Sequence, residues 1–329
     1  MRIDDYRYEL PKDMIAQKPA VPRDSSKLLV LYKKTGKIEH TLFRDIVNYL
    51  KPEDTIVINS TKVIPAKIEG KKETGGKVTF LMTRKISEKE YEGFLKGRVK
   101  DGTRIYVKSN DYCVVKKGEF ARVRFSKPLR LGVSGTTPLP PYIKTPAKLA
   151  FYQTVYAKKE GSVAAPTAGL HFTRKLLKKI KAMGVGIASI TLHVGPGTFL
   201  PFKDSNIGMN RLHKEYYEID QKNAAIINNT KGRLFVVGTT SLRALESAAH
   251  KNGIIQPKKG WTDLFIYPGY RFKIKLSGGL ITNFHLPFTT LLVLVSAIAG
   301  REKIITAYEE AKKRGYRFYS FGDAMLILS

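Results

Sequence analysis

Between residues 77 and 125 the chain carries five short runs in which apolar and polar residues alternate: 77–82, 91–95, 103–107, 112–116 and 120–125. Turn residues separate them and no helical period runs through them. Strands at that spacing bury one face and expose the other, which predicts a small antiparallel barrel or sandwich. The flanks read differently. On the N-terminal side, residues 27–32 and 54–59 are apolar strands, the second of the kind buried in a parallel sheet, and residues 41–50 read as an amphipathic helix. On the C-terminal side helices and strands alternate again. A helix over 174–183 is capped by Thr173 and closed by Gly184, a strand runs over 186–194, and a helix over 223–231 is closed by Gly232. A strand over 233–238, a helix over 289–299 and the strand-like YRFYSFGDAMLIL complete the pattern. The proline-dense residues 136–143 cannot lie in a sheet ladder and read as a return linker. The prediction is an α/β fold: a discontinuous, Rossmann-like α/β domain of residues 1–63 and 150–329, with a small antiparallel β-barrel domain, residues 64–149, inserted into it.

The length of 329 residues agrees with two domains, since single cores stop growing near roughly 250 to 300 residues. One cysteine, Cys113, excludes a disulfide framework and any cysteine-cluster metal site. The start, MRIDDYRYELP, has no apolar run of the signal-peptide kind, and the most apolar stretch, 289–299, is too short to span a bilayer. A cytoplasmic protein is expected, with no membrane partner. Against 28 acidic residues stand 58 basic ones, a formal net charge of +30. Such a balance points to a polyanion, nucleic acid first, because each phosphate neutralised by Lys or Arg releases counterions. A generally lysine-rich surface is the competing explanation. Residues 84–130 carry a net +8, and residues 174–181 hold five bases in eight positions on a helix with Leu176, Leu177 and Ile180 as its apolar face.

Within so basic a chain, GSVAAPTAGLHFT at 161–173 is nearly free of charge. Its small residues, Gly169 among them, permit close approach to the backbone, and Pro166 stiffens the turn. It brings His171, with Thr167 and Thr173 nearby. One helix later TLHVGPGTF, 191–199, sets His193 beside Gly195, Pro196 and Gly197. Two Gly/Pro loops, each with one His, suggest two walls of one pocket; the alternative is two tight loops whose histidines serve structural hydrogen bonds. In GTTSLRALES a strand ends at Gly238, and the hydroxyls of Thr239, Thr240 and Ser241 are expected to cap a helix carrying Arg243 and Glu246 in its first turns. A helix N-terminus at the carboxyl edge of a parallel strand offers amides to a carboxylate or phosphate.

No G-x-G-x-x-G follows a strand, and G-x-x-x-x-G-K-[ST], H-E-x-x-H and G-x-S-x-G are all missing. The six histidines, 40, 171, 193, 213, 250 and 285, show no metal-ligand spacing. Metal-free chemistry in a polar and aromatic pocket is the economical expectation.

The segments YELPKDMIAQKP, NSTKVIPAKIEGKKETGGKV, PLPPYI, GSVAAPTAGLHFT, TLHVGPGTF, LHKEYYEI, VVGTTSLRALES, TDLFIYPGYRFKI, LITNFHLPFTTLLVLVSAIAG and YRFYSFGDAMLI follow one another from end to end. In that order they resemble the S-adenosylmethionine:tRNA ribosyltransferase-isomerases of queuosine biosynthesis. The resemblance implies transfer and isomerisation of the ribosyl moiety of S-adenosylmethionine onto 7-aminomethyl-7-deazaguanine at the wobble position of tRNAs with GUN anticodons. Epoxyqueuosine-tRNA is formed and adenine and methionine leave. S-adenosylmethionine is then a co-substrate, with no bound cofactor and no metal, and the enzyme is expected to act as a monomer. A tRNA-binding protein without catalysis and an S-adenosylmethionine-dependent tRNA methyltransferase are the rival readings.

The chain departs from the family pattern in three places: Asn59, Ser60, Thr61, Lys62 stand where Asn-Asp-Thr-Arg is expected, Thr79 where Glu is usual, and Leu212 where Met precedes His213. Lys62 keeps charge but loses the bidentate fork of Arg. The implied reaction needs a base near the carbon beside the sulfonium, for which His171, His193, His213, Glu215 and His285 are candidates. It needs a proton donor at the departing adenine, for which Asp263 and Asp323 qualify if burial raises their pKa. The methionine carboxylate calls for Arg243 with residues Thr239, Thr240 and Ser241. Lys62, Gly169, Gly195 and Gly197 complete the expected substrate contacts.

Overall fold

In the computed structural model, residues 1–329 are described apart from 109–111, 117, 119, 146, 196–201 and 203. The chain opens with strands Lys27–Tyr32 (β1) and Ile38–Leu42 (β2), then Thr55–Asn59 (β3) and Thr61–Val63 (β4). Between β2 and β3 the amphipathic helix expected over 41–50 is instead a 3₁₀ segment, Phe43–Tyr49. The reason is local: Thr41 and Leu42 are used by β2, and the Asp45 carboxylate accepts from both the Thr41 hydroxyl and the Leu42 amide, which holds a tight turn.

Six strands follow, Lys67–Lys72 (β5), Lys77–Lys85 (β6), Glu90–Lys96 (β7), Arg104–Val107 (β8), Tyr112–Lys116 (β9) and Ala121–Phe125 (β10). Their order β5-β6-β7-β10-β9-β8 is closed by pairing of β8 with β5, giving the predicted antiparallel barrel. Ile68, Phe80, Tyr91, Val115, Val123 and Phe125 fill it. A single helical turn, Leu131–Ser134 (α1), and the two-residue strand Gly135–Thr136 (β11) on β5 precede the proline-rich return. The returning strand Lys159–Ser162 (β12) pairs in parallel with β4, so the chain leaves for the barrel and comes back along the same track.

The second α/β portion contains Arg174–Ala182 (α2), Gly186–Leu192 (β13), Glu215–Ile219 (β14), Gln221–Asn228 (α3), Leu234–Val237 (β15), Thr239–Ala248 (α4), Lys258–Thr262 (β16), Gly279–Asn283 (β17), Thr290–Ala299 (α5), Arg301–Lys313 (α6) and Ala324–Leu328 (β18). Together with β1, β2 and β3 these strands form a sheet in the order β16-β14-β13-β3-β15-β17-β18-β1-β2. β13, β3, β15 and β17 are mutually parallel neighbours at its centre. Strand alternation sends Leu29, Leu31 and Val57 to the face covered by α4, α5 and α6, and Leu28, Val30, Ile56 and Ile58 to the face covered by Phe43, Ile46 and the α2 residues Leu176 and Ile180. Both faces are covered, as a parallel centre requires. The buried Asp54 carboxylate accepts from the Arg233 guanidinium at 2.8 Å and from its amide at 2.7 Å, which joins the amino ends of β3 and β15. The carboxyl ends of all four parallel strands therefore open on the opposite edge.

Candidate active site

At that edge lies a cleft. One wall is the loop before α2, with Ala164, Ala165, Pro166, Thr167 and Ala168; the floor is Gly238, Thr239 and Thr240 at the start of α4; the other wall is Thr282 and Asn283 at the end of β17 and His285 just beyond it, with Tyr319 and Ser320 above. The small residues of the first loop thus border open space, as their composition suggested. Gly169 does not: a Cβ there meets the Tyr156 hydroxyl at 2.0 Å, so the protein itself fills that position.

The start of α4 corrects one expectation. Gly238, at φ +84°, is the N-cap and no hydroxyl caps the helix. Ser241 Oγ donates back to the Val237 carbonyl at 2.6 Å, and Thr240 Oγ1 accepts from Asn59 Nδ2 at 3.2 Å. The first intrahelical acceptance is Leu242 N–H to the Gly238 carbonyl at 3.2 Å. The amides of residues 239–241 are therefore not consumed by a cap, and they carry the positive end of the helix dipole at the cleft floor. Asn59 fixes that floor by spanning three elements. Its Nδ2 also donates to the Leu192 carbonyl at 2.9 Å, and its Oδ1 accepts from the amides of Leu192 and Thr61.

The candidate histidines are dispersed. His285 lines the cleft, 5% exposed, with Nε2 lying 2.9 Å from Thr282 Oγ1; its amide donates to Tyr308 Oη and its carbonyl accepts from Tyr8 Oη. Burial lowers its pKa to about 3, so the ring is neutral. His171 sits one layer behind. Ser26 Oγ lies 2.8 Å from its Nδ1, Asn283 Nδ2 lies 3.1 Å from its Nε2, and Phe43 stacks on it at 5.0 Å. Burial again dominates, and the pKa falls to about 4 against the opposing influence of Asp323. His193 faces another way: its Nδ1 is 2.8 Å from Thr61 Oγ1 and its ring stacks on Tyr216. Burial, then Lys159, lowers its pKa. His213 lies edge-on to the barrel residues Phe94 and Phe120, at the junction of barrel and sheet.

Glu215 and Arg243 form a buried ion pair, and Arg243 Nε donates to the Leu264 carbonyl at 2.8 Å. Gly195 N–H donates to Glu215 Oε1 at 2.8 Å. Arg243 Nη2 is buried with no partner. Asp323, 2% exposed, is held by the amides of Lys27 and Arg317 and by the Arg317 guanidinium at 3.1 Å, and Asp263 is exposed. Lys62 pairs with Glu160 at 2.8 Å on the surface. Gly197 lies outside the described residues. The bases of α2, Arg174, Lys175, Lys178, Lys179 and Lys181, are all exposed.

Asn283, Asn59, Tyr319 and Ser320 escaped the residue-type reading. The two asparagines carry no titratable or nucleophilic signature, and their signal is only a polar side chain ending an apolar strand; Tyr319 and Ser320 lie in the strand-like C-terminal segment, where Asp323 drew the reading. Among the described residues no group of three His, Cys, Asp or Glu is placed to hold a metal ion, and no helix is long and apolar enough to cross a membrane.

Known proteins resemble this chain along its whole length. The family model for queuosine biosynthesis protein matches residues 3–327. An enzyme of a Thermoanaerobacter species named S-adenosylmethionine:tRNA ribosyltransferase-isomerase is 48% identical over 344 residues, covering 100% of both chains. One of the same name from Acetivibrio thermocellus is 48% identical, over 99% of this chain and 100% of its own. The crystal structure of S-adenosylmethionine tRNA ribosyltransferase from Thermotoga maritima is 35% identical, with a TM-score of 0.57, over 98% of this chain and 100% of that one.

Proposed function

Because the chain belongs to the queuosine biosynthesis protein family, we propose that it catalyses the reaction for which its relatives are named, with tRNA and S-adenosylmethionine as substrates. The ribosyl moiety of S-adenosylmethionine passes to 7-aminomethyl-7-deazaguanine at the wobble position of tRNAs with GUN anticodons and is isomerised, and adenine and methionine are released. The observation that carries the reading for this chain is the cleft at the carboxyl edge of the parallel strands, which joins uncapped α4 amides to a neutral histidine. Amides of residues 239–241 suit the methionine carboxylate. His285 is the candidate histidine that lines the cleft, and its imidazole is the group placed there to accept the proton next to the sulfonium. His171, screened by Asn283, acts through that neighbour. Asp323 is committed to Arg317 and Asp263 is exposed, so neither is assigned the adenine proton. The exposed bases of α2 and of the barrel suit tRNA phosphates, and one chain, acting as a monomer, supplies every group named here.

The test is product analysis after incubation with S-adenosylmethionine and a GUN anticodon stem-loop carrying the modified base. Adenine and methionine in equal amounts are expected. S-adenosylhomocysteine would make it a methyltransferase, and no turnover with retained stem-loop binding would make it a binder.

A further inference from the structure

Asn283 ends β17 inside the cleft at 2% exposure, and its amide is used on one edge only. Nδ2 donates to the Tyr319 carbonyl at 3.2 Å and approaches His171 Nε2 at 3.1 Å. The carbonyl oxygen Oδ1 is buried and has no partner. The orientation of the amide follows from its neighbours: a backbone carbonyl can only accept, so the nitrogen must face Tyr319. His171 Nε2 then accepts the second N–H, which places the ring proton on Nδ1, directed to Ser26 Oγ at 2.8 Å. Phe43 stacked on the ring fixes its plane. Serine, histidine and asparagine thus form a buried chain that ends on one unpartnered carbonyl oxygen, carried by a residue that lines the cleft. A buried acceptor without a donor is uncommon enough to need an explanation.

The strand register says what stands beside it. β15 and β17 pair with Val237 opposite Ile281, and Gly238 N–H donates to the Ile281 carbonyl at 2.8 Å. Two residues further along each chain α4 begins at Thr239 and β17 ends at Asn283, and both residues line the cleft. An isolated acceptor one strand away from free helix amides matches a group with an anion and a cationic donor on adjacent atoms. The head of an α-amino acid has that form. The amino group of adenine is also an N–H donor, but the purine carries no anion for the amides.

Resting on the reading of the cleft as the S-adenosylmethionine site, we propose that Asn283 Oδ1 receives the α-ammonium of the methionine moiety, and that His171 is the positioning residue that holds Asn283 in the receiving orientation. The experiment is equilibrium binding, without tRNA, of S-adenosylmethionine, of its analogue lacking the α-amino group, and of its analogue with a 6-oxopurine. The wild type should bind the des-amino analogue at least about tenfold more weakly than S-adenosylmethionine, as loss of a hydrogen bond to a charged group implies. Asn283→Leu should weaken S-adenosylmethionine about 10- to 100-fold and leave the des-amino affinity within about threefold. His171→Phe should show the same ligand-selective pattern with a smaller loss, which a merely structural histidine would not produce. Equal binding of both ligands by the wild type overturns the proposal, and that arm needs no variant to fold. Equal weakening of both ligands by Asn283→Leu overturns it too, as does selectivity that follows the 6-oxopurine analogue, which would seat the adenine there. Failure of the wild type to bind S-adenosylmethionine at all would remove the cleft assignment itself, a result distinct from each of these.

Discussion

Arg243 on α4 and Glu215 at the start of β14 meet as an ion pair, with side chains 2% and 5% exposed. Glu215 also takes the Gly195 amide and Arg243 the Leu264 carbonyl, so the pair pins the segments that follow β13 and β16 to the helix whose N-terminus floors the cleft. Removing one partner strands the other in the interior. Glu215→Ala should lower stability by about 3–5 kcal/mol, whereas Glu215→Leu with Arg243→Met should lose much less, because desolvation of the intact pair offsets most of its attraction. Urea midpoints of the single and double variants check this; equal losses would mean that the two side chains are not energetically coupled.

Gly169 and Tyr156 give a second cycle. A Cβ on Gly169 would sit 2.0 Å from Tyr156 Oη and 3.0 Å from its Cζ, and that hydroxyl is buried with no partner. Gly169→Ala should therefore be destabilising, by about 1–3 kcal/mol as for other overpacked cores. Tyr156→Phe alone should cost little, and in its background Gly169→Ala should recover part of the loss. Melting temperatures of the four proteins decide it; without recovery, the glycine is required for its backbone and not for the space above it.

The α/β frame and the barrel were legible because their strands are strongly patterned: β3 is buried at every position and β10 alternates along its length. β5, KIEGKK, was not, since Ile68 is its one fully buried residue and its place is set by closure against β8. α6 has a regular buried stripe, Ile304, Ala307, Tyr308 and Ala311, yet follows α5 after Gly300 alone, at φ +86°, and no loop announces it. At the site, the charge-free loop and the α4 terminus were readable from composition. Which histidine enters the cleft was not, because the loop that ends at His171 and the segment after β17 that carries His285 meet at one sheet edge, and the layer each occupies there is set by the fold.

Acid should expose that burial. His171 is pushed down to about 4 and His285 to about 3 from an ordinary 6.5. With both folded values below the unfolded one, the folded protein binds fewer protons, and the stability tied to neutral rings is fully present above about pH 6.5. It is lost as the pH falls toward 4 for His171 and 3 for His285, at up to about 1.4 kcal/mol per pH unit for each. Denaturant midpoints between about pH 7.5 and 5, before most carboxylates titrate, should fall steeply in the wild type and less steeply in His171→Gln. Parallel slopes would mean that the ring is charged in the fold.

His285→Asn tests the proton acceptor separately from the substrate anchor. Asparagine keeps a hydrogen-bonding shape toward Thr282, 2.9 Å from the native Nε2, but cannot take a proton near neutral pH. Turnover should fall by roughly 10² to 10⁴ while S-adenosylmethionine binds within about threefold of the wild type, the split expected when an interaction is made only in the transition state. Asn283→Leu should show the opposite split, with the loss in binding. His40, bonded to Tyr316 Oη at 2.9 Å and remote from the cleft lining, should tolerate Asn with near-normal rates. Near-normal turnover in the His285 variant would move the search to His193, whose Nε2 lies 2.8 Å from the position a Gly161 Cβ would take. His193→Asn would then remove that nitrogen directly, and loss of rate there with the His285 variant still active would place the proton transfer on the β13 side of the sheet edge.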